Sequence, residues 1–108
     1  MNRETLASLR DIKEAVQQQQ TIALRTIRTR LDRLEAERGE IVAGIEGAMA
    51  ETSVEDATRA ARYRSFQKQT LDELDTKITI AARSYRNAEA ELSVTFAEVR
   101  AIERLMEG

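Results

Sequence analysis

Along the second half of the chain hydrophobic residues recur in alternating steps of three and four: Leu71, Leu74, Ile78, Ala81, Tyr85, Ala88, Leu92, Thr95, Val99, Ile102 and Met106. Ten of these eleven positions are apolar, and the alternation holds for five heptads, which predicts a helix bearing a coiled-coil seam. The alanines in it admit a partner helix closely but bury little area per layer. The first half carries a less regular stripe, Leu9, Ile12, Val16, Ala23, Ile27, Leu31, Leu34, Ile41, Ile45 and Met49, with Gln20 and Arg38 filling its gaps. Its mean step is about 3.64 residues, nearer a straight helix than the 3.5 of a left-handed supercoil.

Nothing in the chain forces a helix to stop, because it contains no proline. Three of its four glycines, Gly39, Gly44 and Gly47, gather just before Glu51-Thr52-Ser53-Val54-Glu55-Asp56, and the break is expected there. Ser53 with Asp56, or Thr52 with Glu55, has the spacing of an N-cap and its reciprocal acid. The reading is therefore one all-α domain: a helix over about 3–49 capped by Asn2, a turn over about 50–53, and a helix over about 54–106. Two apolar stripes joined by a short turn are most simply buried by folding back, which predicts a long antiparallel two-helix coiled-coil hairpin.

Charge suggests a register. With the turn centred on residues 51 and 52, residue i lies level with roughly residue 103 − i. Arg25, Arg28, Arg30 and Arg33 then fall beside Asp72, Glu73 and Asp75, and Glu35, Glu37 and Glu40 beside Arg62, Arg64 and Lys68. A parallel homodimer would set like blocks together.

Composition removes most chemistry. Among 108 residues there is no His, Cys or Trp, so imidazole bases, thiol nucleophiles, disulfides and His/Cys zinc sites are excluded. The acidic group Asp72, Glu73, Asp75 is read as a solvated, Arg-paired face, because neighbours on a helix point to different sides. No enzyme, metal or cofactor is expected. With 33% charged residues, 4% aromatics and a net charge of −2, no global field draws the chain to nucleic acid, and the Arg25–Arg33 run lacks stacking aromatics. Its apolar runs are far below the ~20 residues of a bilayer span, and Met1-Asn2-Arg3-Glu4-Thr5-Leu6 does not look like a secretory signal; a cytoplasmic protein is expected. Gln17–Gln20 reads as a weakly packed stretch of helix.

Function must then reside in surfaces. Ile80 and Val94 share one outward heptad position, Phe96 lies beside the seam, and Ile22 points away from the first stripe, at about the height of Ile80 in the expected register. Leu105 and Met106, with Leu6, form a second expected patch where the termini meet. Arg25 and Arg28 complete the candidate partner-binding set.

The Arg/Glu/Gln/Ala-rich two-helix layout, Tyr63-Arg64-Ser65-Phe66 leading into Leu71-Asp72-Glu73-Leu74, and the closing stretches Ala88-Glu89-Ala90-Glu91-Leu92 and Val99-Arg100-Ala101-Ile102-Glu103-Arg104-Leu105 resemble the FliJ-type flagellar export proteins and the YscO-type stalk proteins of type III secretion. The resemblance implies a cytoplasmic antiparallel coiled coil, peripheral to a membrane export apparatus. Such a stalk binds the export ATPase, promotes its ring assembly, contacts the export gate and does no chemistry itself. Two other classes stand beside it. A small secreted hairpin of the WXG type lacks its Trp here, whereas a structural or adaptor coiled coil that self-associates or binds a partner helix fits the same pattern.

Overall fold

The computed structural model describes residues 2–50 and 57–108. They form two helices, α1 (Arg3–Ala50) and α2 (Ala57–Glu107), with no strand among the described residues. The expected turn and the Ser53/Asp56 and Thr52/Glu55 caps lie outside them. Asn2 caps α1 as expected: its Oδ1 accepts a hydrogen bond from the Thr5 amide at 2.8 Å, satisfying one of the orphan donors of the first turn.

Threonine is a mediocre helix former, yet nine sit inside these helices without breaking them. The hydroxyls of Thr21, Thr26, Thr70, Thr76, Thr79 and Thr95 each donate to the carbonyl four residues back. For Thr95 this bond, 3.2 Å to Glu91, satisfies the one buried polar side chain among the described residues. The glycines do not end α1 either. Gly39, Gly44 and Gly47 are all helical, with no positive φ, so the expected break lies beyond them rather than among them.

The helices pack as an antiparallel hairpin in two compact units. One comprises the chain up to Arg28 together with Arg83–Gly108, the other Thr29–Ala82. In the second, Leu31, Leu34, Leu74 and Ala81 form a buried cluster with Ile41, Ile78 and Ala82 against it. In the first, the buried residues are Leu6, Thr95, Val99 and Ile102.

All eleven positions expected on the second helix's seam are buried or half-buried. The first helix departs from expectation in its N-terminal third. From Ile27 to Ile45 the expected stripe is the seam, but before it the positions in step with that seam are Leu6, Arg10, Lys13, Gln17, Gln20 and Leu24, all buried or half-buried. Ile12, Val16 and Ala23 are exposed instead. The reason is periodic. Packing along a seam that repeats every 3.5 residues holds α1 to the same step, whereas a stripe of mean step 3.64 drifts off it. Reading the apolar residues rather than the strict step puts Leu9, Ile12, Val16 and Ala23 one residue, about 100°, out of phase.

Charge does not align the helices as expected. Arg38 Nε donates to Asp75 Oδ1 at 2.6 Å, Lys13 Nζ lies 2.6 Å from Glu98 Oε2, and the Arg28 guanidinium sits 5.5 Å from the Tyr85 ring centre. These pairs place residue i level with roughly residue 112 − i, about nine residues from the expected register. Asp75 therefore meets Arg38 and not the Arg25–Arg33 run. Glu35–Glu40 come level with Asp72–Lys77 rather than with Arg62–Lys68. Interdigitation of the large seam residues sets the alignment, because burying a leucine is worth more than an exposed ion pair.

Candidate functional site

The unit that carries the termini buries an unusual helix face. Over α1 residues 9–23 the inward positions are Arg10, Lys13, Gln17 and Gln20, all half-buried, and they lie against the apolar seam of α2. Three of them, Arg10, Lys13 and Gln20, are only partly satisfied or satisfied at the tip. Lys13 reaches out to Glu98, the Arg10 guanidinium donates to Met106 Sδ at 3.9 Å and to Asp11 at 3.3 Å, while Arg10 Nε and Gln20 Oε1 are buried without a hydrogen-bond partner. Long basic side chains can do this because their methylene stems cover apolar surface while the charged head stays in water.

The opposite side of the same segment is apolar and wet. Ile12 is 61% exposed, Ile22 63% and Val16 37%, with Ala15 and Ala23 exposed between them. In an antiparallel pair the two helices present two flanks. The Lys13–Glu98 bridge marks one, and by heptad position Leu9, Ile12 and Val16 lie on it, as do Val94 and Leu105 of α2, 59% and 63% exposed. The other flank is polar: an open groove of about 400 Å³ whose lining includes Glu14, Gln18, Arg100, Glu103 and Phe96.

The sequence-predicted candidates distribute unevenly over this geometry. Val94 and Leu105 share the apolar flank, Ile22 stands on the outer face beside Gln18, Thr21 and Arg25, and Phe96, 42% exposed, lines the polar groove. Ile80, 58% exposed, belongs to the Thr29–Ala82 unit, where the 67% exposed Phe66 occupies the same outward heptad position two repeats earlier. Arg25 and Arg28 are exposed, and Arg28 stacks on Tyr85. Two candidates at the termini are not free surface. Leu6 is a seam residue, 6% exposed, and Met106 is half-buried beneath Arg10; only Leu105 of that expected patch stands in solvent.

Sequence reading placed Ile12 and Val16 in the core and passed over Phe66. The signal for the first two was present: stepping back from Ile27 by strict threes and fours lands on Leu24, Gln20, Gln17, Lys13, Arg10 and Leu6, and leaves Ile12 and Val16 outside. Among the described residues no cluster of three acidic side chains could hold a metal ion, and no helix is long and apolar enough to cross a membrane. What the geometry defines in the unit carrying the termini is an antiparallel helix pair with one flank rich in large apolar side chains and one polar flank. No family model matches the chain, and neither a curated protein nor a solved structure is significantly similar to it.

Proposed function

We propose that this chain is a non-catalytic coiled-coil adaptor that works by docking other proteins on the apolar flank of the unit carrying its termini. The observation behind this reading is the set of large apolar side chains, Ile12, Val16, Val94 and Leu105, standing in solvent on one flank while lysine and glutamine occupy the seam beside them. A patch of that kind is what a partner helix recognises. In its more particular form, resting on the resemblance to FliJ-type and YscO-type proteins, the adaptor is a cytoplasmic stalk of a flagellar or type III export apparatus. It would bind the export ATPase ring, promote its assembly and contact the export gate.

Adding the full chain to a purified export ATPase should raise turnover and the hexamer fraction, and Val94→Glu with Leu105→Glu should remove most of the effect. A turnover and hexamer fraction that stay at their basal values across salt conditions would discard the export form.

A further inference from the structure

We infer that the uncharged face of α1 in the unit carrying the termini is a self-docking surface, covered by the same face of a second copy lying antiparallel to it. The inference deepens the adaptor reading by naming an occupant for part of its apolar surface. Leu9, Ile12, Val16, Gln19, Ala23 and Thr26 again alternate in steps of three and four, so α1 carries a second heptad stripe turned away from the hairpin seam. Apart from the half-buried Leu9 the stripe is exposed, and it contains no charge; the whole stretch Ala15–Leu24 contains none. In an isolated hairpin this segment buries Lys13, Gln17 and Gln20 and leaves isoleucine and valine in water, the reverse of what apolar burial favours. Covering the stripe takes that isoleucine and valine out of water.

Two observations select a second copy as the cover. A stripe without charge offers nothing by which a basic or acidic partner helix would be chosen, but it matches itself. Antiparallel about a two-fold axis between Gln17 and Gln18, Leu9 meets Thr26, Ile12 meets Ala23 and Val16 meets Gln19. Each larger apolar side chain then faces a smaller or polar one, and the layers keep an even width. A parallel pair would stack Ile12 on Ile12 and Ala23 on Ala23, wide layers beside gaps that packing disfavours. The stripe is about 26 Å long, so the interface is smaller than the standard ~800 Å² per partner and the dimer is weak and reversible.

Sedimentation of the full chain from micromolar to millimolar concentration tests this directly. A monomer–dimer equilibrium is expected, with Ile12→Glu and Val16→Glu each weakening association by at least about tenfold at unchanged helicity by circular dichroism. Because the chain has no cysteine, introduced thiols report alone. Chains carrying Ile12→Cys mixed with chains carrying Ala23→Cys should cross-link to each other on oxidation, and Ile12→Cys should not cross-link to itself. A monomer at every concentration, a dimer indifferent to both glutamates, or Ile12→Cys homodimers would overturn the inference. Each of these results is independent of the ATPase assay, which judges the export form by itself.

Discussion

At the scale of single residues, the seam of α1 is stronger where it is leucine than where it is glutamine. Leu34 belongs to the buried cluster of the Thr29–Ala82 unit, so Leu34→Ala is expected to cost about 2–3 kcal/mol by urea unfolding, through lost transfer energy and the cavity left behind. Gln20 is the opposite case. Its Oε1 is buried without a partner, and Gln20→Leu, which removes the orphan acceptor and adds apolar contact to the seam, is expected to stabilise by about 1 kcal/mol in the same experiment. A loss of stability there would show that the amide is satisfied in solution. The identity of each seam residue on α2 was legible from its sequence alone, because eleven positions in strict alternation leave one face to choose. On α1 before Ile27, Ile12, Val16 and Ala23 follow one phase, while Leu6 and Leu24 share the buried phase with Arg10, Lys13, Gln17 and Gln20, so apolarity alone points away from the phase that strict stepping back from Ile27 finds.

At the scale of the helices, length and alignment have separate causes. The absence of proline lets α1 run through three glycines that would otherwise end it, at a cost in backbone entropy. A β-carbon at Gly39 or Gly47 would meet nothing within 4 Å, so Gly39→Ala and Gly47→Ala should each raise stability by about 0.5–1 kcal/mol, read as an upward shift of the thermal midpoint. Alignment was not legible, because counting outward from an assumed turn ignores how the large side chains interlock. Spin labels attached through Lys13→Cys and Glu98→Cys should lie close together, since the native side chains touch. Labels at Lys13→Cys and Ala90→Cys, the pair that the charge-matched register would bring level, should lie farther apart.

At the scale of the whole molecule, ion pairs contribute little to stability. The Lys13–Glu98 and Arg38–Asp75 pairs keep between about a third and a half of their side-chain surface in water, where screening and side-chain entropy leave each worth ~0–1 kcal/mol. Raising salt from about 0.05 to 0.5 M is therefore expected to move the unfolding free energy by less than about 1 kcal/mol, measured by chemical denaturation. A larger fall would mean that charge, not the apolar seam, carries the hairpin. The sequence by itself determined that the protein is two long helices, that α2 buries a heptad face, and that Asn2 opens α1. Those features depend on local propensity, capping and periodicity, all of which are written within one element. Tertiary structure alone decided the register, and it held α1 to the strict phase that fixes which apolar residues meet solvent. Both follow from the fit of one seam into another, and the stripe on α1 that looked like the core became a surface because packing against a 3.5-residue repeat left it outside.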